Sequence, residues 1–200
     1  MSQANAARAL PLSHWRPPFR IRSAQQKDLG AIVAVLLSSF YPQAKATQWL
    51  YWIMRMGIKE DIKTRLKTSA SQYVCLVATT VDPESAQSVD VVGTAEISQR
   101  PCEAWRLLPP KRAYISNLAI SADYRRQGVA HQLLRASEKI ALSWGFHRVY
   151  LHVMADNPAA RALYTQAGYR ECAVSNPVLS GLGLRPQRLL LSKRIESERS

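Results

Sequence analysis

A chain of 200 residues, 47% hydrophobic and 20% charged, holds enough apolar material for one compact domain. Its longest uninterrupted apolar run, residues 31–37, is far short of the roughly 18 residues a bilayer-spanning helix needs, so a soluble protein with no membrane partner is expected. Cys75, Cys102 and Cys172 are odd in number, widely spaced and without Cys-x-x-Cys or Cys/His pairing. That excludes a disulfide framework and a zinc site, leaves no metal to expect, and fits a reducing, intracellular compartment. The balance of 27 basic against 14 acidic residues gives +13, which favours polyanionic partners without separating nucleic acid, a ribosome surface, a phosphorylated cofactor or a merely solvated basic surface.

In chain order, residues 1–18 are basic and acid-free. They resemble a targeting peptide in composition, but a first strand begins directly at Phe19 and no apolar signal core is present, which predicts a disordered basic arm. Residues 19–23 read as that strand. Residues 24–39 read as a helix, with Leu29, Ile32, Val33, Leu36 and Leu37 at helical spacing and Pro42 as its stop. A second, amphipathic helix is predicted over 45–67, with Gly57 as a break. Residues 73–79 and 91–97 are β-branched runs around the turn-rich Asp82-Pro83-Glu84-Ser85, and predict an antiparallel hairpin. After a proline-bounded excursion over 101–110 come a strand at 113–120 and a helix at 128–144 closed by Gly145. A strand at 149–154 precedes a helix at 158–166, with Asn157 as N-cap, Pro158 in first position and Gly168 as stop. Strands at 169–174 and 189–194 complete the pattern, and 196–200 form a tail. The expected fold is a single α/β domain over 19–195, a mixed sheet of about seven strands with helices on both faces.

The most informative stretch is Tyr114-Ile-Ser-Asn-Leu-Ala-Ile-Ser-Ala-Asp-Tyr-Arg-Arg-Gln-Gly-Val-Ala130, a strand turning directly into a helix. The first amides of a helix lack internal partners and carry partial positive charge, so an anion placed there gains several hydrogen bonds at once. Gly128 permits close approach, Ala130 is small, and Arg125 and Arg126 add charge. The pattern Arg-x-x-Gly-x-Ala is neither G-x-G-x-x-G nor a P-loop, which disfavours a dinucleotide or a nucleoside triphosphate.

With Leu151-His-Val-Met-Ala-Asp-Asn157, Ala160, Leu163-Tyr164 and Gly168-Tyr169 following at the expected spacing, the chain resembles the GNAT (Gcn5-related N-acetyltransferase) family over roughly residues 19–195. The resemblance implies a twisted sheet splayed between the 114–120 and 149–154 strands, with acetyl-coenzyme A as cosubstrate in the gap. It implies Leu118, Ala119 and Ile120 as holders of the pantetheine through their backbone, and Arg125, Arg126, Gln127, Gly128, Val129 and Ala130 as the pyrophosphate loop. His131, Asn157 and Tyr164 complete the cofactor set, although His131, like Gln132 and Arg135, also reads as plain helix surface.

Acetyl transfer to an amine needs a neutral amine, a stabilised oxyanion and a proton for the departing thiolate. His152 alternates with Tyr150 and Met154 against the apolar set Val149, Leu151 and Val153, so its side chain points away from that core, and its ordinary pKa of about 6.5 suits a base at cellular pH. The Leu-His-Val run resembles N-terminal acetyltransferase subunits that use such a histidine together with a tyrosine at the position of Tyr114. A structural histidine is the competing reading. Glu96 is the reserve base. Tyr164 matches the family tyrosine that hydrogen-bonds the coenzyme A sulfur, against an alternative of simple packing.

The acceptor groove would be walled by Phe40, Tyr41, Trp49, Tyr51 and Trp52 on one side and residues 175–188 on the other. The chain lacks the paired tyrosine that N-terminal acetyltransferases of ribosomal proteins carry there. Its overall look is similar to protein acetyltransferases of cyanobacteria and plastids. The resulting expectation is a protein N-terminal and lysine acetyltransferase, monomer or homodimer, in the cytoplasm or plastid stroma. A small-molecule amine acetyltransferase and a non-catalytic, basic ribosome- or RNA-binding module are the alternatives.

Overall fold

The computed structural model describes residues 19–40, 60, 62, 64, 72–82, 87–101, 110–175 and 187–196. The predicted basic arm, most of the predicted 45–67 helix, Cys102, and the acceptor-wall residues apart from Phe40, Ser175 and the 187–188 end of the second wall lie outside them.

The elements are β1 (Phe19–Ser23), α1 (Leu29–Phe40), β2 (Tyr73–Val81), β3 (Ser88–Pro101), β4 (Lys111–Ile120), α2 (Val129–Ser143), β5 (Arg148–Met154), α3 (Pro158–Gln166), β6 (Arg170–Ser175) and β7 (Arg188–Arg194). The seven strands form one sheet in the order β1-β2-β3-β4-β5-β7-β6, antiparallel throughout except between β4 and β5. That parallel pair holds only Ala113↔Val149, Tyr114↔Tyr150 and Ile115↔Leu151. Both strands continue beyond their last pairing, so the sheet opens there into a gap.

The two sheet faces are covered differently. α1 buries Leu29, Ile32, Val33, Leu36 and Leu37, each predicted from its spacing, against Cys75 and Val77 of β2. α2 and α3 cover the opposite face, where Leu133 and Leu134 meet Ala95, Val149 and Leu151 among others. Val149, Leu151 and Val153 of β5 point into that core, each 6% exposed or less, and full burial of such a side chain contributes about 1.5–3 kcal/mol. The first face is therefore filled at its β1–β3 end by α1, while Tyr150, His152 and Met154 of β5 stay only half-buried on it.

Two boundaries differ from expectation for physical reasons. The helix predicted from residue 24 begins at Leu29, after a 3-10 turn at Gln26–Asp28. Asp28 accepts Arg22 Nη1 and Nη2 at 2.6 and 2.8 Å and the Gln25 amide at 2.7 Å, a clamp that tightens the entry. β3 outruns its predicted 91–97 core because the polar Ser98, Gln99 and Arg100 pair with Tyr114, Ala113 and Arg112 of β4; ladder bonds, rather than an apolar pattern, extend it.

Candidate active site

The gap is shaped by β4. Thr94↔Ala119 and Glu96↔Ser116 span two residues on β3 but three on β4, so β4 bulges at Asn117 and Leu118. Asn117 sits at φ 52°, a left-handed conformation that asparagine tolerates better than most residues. Its amide Nδ2 donates to Glu96 Oε1 at 2.9 Å. Glu96, the reserve base, is 1% exposed and braces this bulge. Gly93 lets the adjoining strand approach, since a Cβ there would lie 2.7 Å from Ile120 Cδ1.

Past the bulge, β4 runs through a 3-10 turn (Ala122–Tyr124) into α2. Arg125 Nε donates to the Ile120 carbonyl at 3.2 Å and Gln127 Nε2 to the Asp123 carbonyl at 2.9 Å, folding the loop on itself. Arg126 at φ 62° and Gly128 at φ 82° turn the backbone at the head of α2. No side chain caps that helix, and a Cβ on Gly128 would meet nothing within 4 Å. Uncapped first-turn amides, open space in front of them and two arginines fit a pyrophosphate group.

A cleft of about 570 Å³ leads from this loop into the gap. Leu118, Ala119, Ile120, Arg125, Arg126, Gly128, Val129, Ala130, His131 and Asn157 line it, together with Ser39, Phe40, Tyr124 and α3 residues that include Ala159, Ala160, Ala162 and Leu163. Of the predicted cofactor set, Gln127 and Tyr164 are not in the lining. Asn157 accepts the Ala160 amide at 3.0 Å as the α3 N-cap. Ser39 and Tyr124 escaped the sequence reading. Ser39 carries no signal of its own and is brought in when its hydroxyl donates to the Ile120 carbonyl at 3.2 Å; Tyr124 could have been found from its place beside Arg125.

Two of the candidate chemical groups, Tyr114 and His152, meet at the foot of the gap. Tyr114 Oη and His152 Nδ1 are 2.6 Å apart, joining residues 38 apart in sequence. Tyr114 is 7% exposed, and burial raises its pKa against the opposing effect of Arg100, Arg188, His152 and Arg112. Burial, then the cationic Arg188, Arg112 and Arg100, push the His152 pKa below the ordinary imidazole value. The pair is therefore a neutral phenol beside a neutral imidazole near pH 7. Tyr164 is buried on α3, edge-on to Tyr169 with ring centroids 6.0 Å apart. Desolvation, with a smaller contribution from Tyr114, pushes its pKa up to about 12. Among the described residues no group of three or more His, Cys, Asp or Glu is placed to hold a metal ion, and no helix is long and apolar enough to cross a membrane.

Comparison with known proteins shows the fold and the family. The chain is 29% identical over 205 residues to GCN5-related N-acetyltransferase 10, chloroplastic, of Arabidopsis thaliana, covering 97% of the chain and 80% of that protein. It is 40% identical over 81 residues to GCN5-related N-acetyltransferase 7, chloroplastic, of the same plant, covering 40% of the chain and 29% of that protein. The fold superposes on the crystal structure of the PaiA N-acetyltransferase from Thermoplasma acidophilum in complex with coenzyme A, with a TM-score of 0.65, 17% identity, and coverage of 89% of this chain and 99% of that one. The profile of the acetyltransferase (GNAT) family matches residues 44–169, more than half of the chain. The protein thus belongs to the GNAT acetyltransferase family, as an N-acetyltransferase with acetyl-coenzyme A as its cosubstrate.

Proposed function

We propose that the protein acetylates protein and peptide α-amines, with lysine ε-amines as a second acceptor class, in the cytoplasm or, in a plant, the plastid stroma. The observation that carries this reading is the 2.6 Å contact between Tyr114 Oη and His152 Nδ1. Acetyl-coenzyme A supplies the activated acetyl group as a thioester. The loop Arg125–Ala130 and the first turn of α2 hold its pyrophosphate, and the backbone of Leu118 to Ile120 holds its pantetheine.

His152 is the proton sink, and Tyr114 connects it to the acceptor. With the phenol donating to Nδ1, a proton leaving the attacking amine onto Tyr114 Oη is matched by the phenolic proton moving to Nδ1, leaving tyrosine neutral and His152 as imidazolium. A base whose pKa lies below about 6.5 suits an α-ammonium near 7.7–8.0 far better than a lysine near 10.4. The surrounding guanidiniums also disfavour a protonated amine in the site. Tyr164, kept as a phenol by its raised pKa, donates to the sulfur as the thiolate departs, a hydrogen bond being easier than full proton transfer from so weak an acid. Glu96 acts through Asn117, by holding the bulge, rather than on the amine.

A panel of peptides, with products located by mass spectrometry, tests the reading. Transfer to free N-termini is expected; turnover of a polyamine or antibiotic with no peptide product, or ribosome binding with no turnover at all, would overturn it. His152→Ala and Tyr114→Phe should each lower kcat by about 10²–10⁴-fold, the usual contribution of a positioned base, with the KM for acetyl-coenzyme A little changed.

A further inference from the structure

The strands around Tyr114 and His152, β3, β4, β5 and β7, turn arginines to the same face as that pair. Arg100 lies opposite Arg112 in the β3–β4 ladder, Ser98 opposite Tyr114, and Arg188 opposite Met154 in the β5–β7 ladder. Partners across a ladder share a face, and so do residues two apart along a strand, about 7 Å from each other. Arg100 stacks its guanidinium 4.2 Å from the centroid of the Tyr114 ring and donates to Ser116 Oγ at 3.2 Å. Arg112 lies 5.0 Å from the centroid of Tyr150, and Arg188 is exposed.

The row continues outward. A cavity of about 500 Å³ at the start of β4 and β5 is lined by Lys111, Arg112, Arg148, Tyr150 and Arg194 together with the 145–147 turn. It begins two residues from the Tyr114–His152 pair on each strand, through Arg112 and Tyr150. Among the described residues of β3 to β7, the carboxylate on this face is Glu96, which is 1% exposed and engaged by Asn117. Glu196, just past β7, pairs with Arg194 at 3.2 Å.

We propose that the acceptor is an acidic N-terminus: a chain whose free amine meets Tyr114 and His152 while carboxylates in its next few residues lie against Arg100 and Arg112 and then the basic cavity. This rests on the α-amine reading above. An extended chain advances about 3.3 Å per residue, so side chains at positions two to five span the distance from the Tyr114–His152 pair to the cavity. A basic acceptor would set its own cations against the row.

Matched peptides differing only at positions two to five, acidic, neutral or basic, test the proposal. The expected order of kcat/KM is acidic, then neutral, then basic, with acidic ahead of neutral by about tenfold or more, since each exposed charge pair contributes up to about fivefold. The advantage should sit mainly in KM and shrink in 0.5 M salt, because exposed charges are screened. Arg148→Glu, at an exposed position lining the cavity with folding checked by thermal melt, should narrow or invert the order. Peptides acetylated without charge ranking, or with basic ones preferred, overturn this proposal alone; no peptide acetylated while spermidine is would overturn the α-amine reading and this proposal with it.

Discussion

At the scale of single residues, His152 shows what alternation can and cannot reveal. Its place between Leu151 and Val153, both buried in the core, was readable from a period of two along the strand. Its partner was not, because Tyr114 is 38 residues away and the contact depends on β4 and β5 lying parallel in register. The same placement sets its titration. Burial and three arginines lower the His152 pKa, so an NMR titration of the imidazole resonances, assigned with His152→Ala, should give a midpoint below about 6.5. Arg188→Gln removes one cation and should move that midpoint upward. A midpoint above 6.5 in the native protein would mean that an unrecognised carboxylate faces the ring. Glu96 illustrates a different case, a residue type suited to base catalysis that is buried and accepts Asn117 Nδ2.

At the scale of elements, the turn from β4 into α2 joins local chemistry to the cleft that it lines. Arg-x-x-Gly-x-Ala marked the helix start correctly, because Gly128 is a left-handed N-cap at φ 82°. Alanine at this position would face a left-handed conformation that disfavours L-residues by about 1–2 kcal/mol. Gly128→Ala should therefore lower the unfolding free energy from urea denaturation by that amount and raise the KM for acetyl-coenzyme A, while the KM for the peptide stays near its native value. The bulge at Asn117 left a weaker trace, since Ser-Asn-Leu-Ala-Ile reads as continuous strand. Only the unequal count across the β3–β4 ladder exposes the extra residue, and that bulge turns the β4 backbone toward the gap.

At the scale of the whole molecule, the two halves of the sheet are tied together behind the site. Glu138 of α2, 8% exposed, accepts the Tyr169 hydroxyl at 2.9 Å and Lys193 Nζ of β7 at 2.7 Å. Burial and the adjacent Glu138 carboxylate raise the Tyr169 pKa strongly, so its hydroxyl remains a donor across the working range. Tyr169→Phe leaves one carboxylate oxygen short of a partner and should destabilise the fold by about 1–3 kcal/mol in chemical denaturation. Turnover per folded molecule should fall far less than in Tyr164→Phe, because the substitution keeps the Tyr169 ring that lies edge-on against Tyr164, with centroids 6.0 Å apart. By itself the sequence determined most of the described elements, the strand-to-helix turn at residues 125–130 and the family resemblance, because hydrophobic period, helix capping and the Arg-x-x-Gly-x-Ala turn are local properties of the chain. The tertiary structure alone decided which distant residues share a face: the Tyr114–His152 contact, the braced bulge and the arginine row exist only through strand register. Register is set by the packing of a whole sheet, and no stretch of the chain contains it.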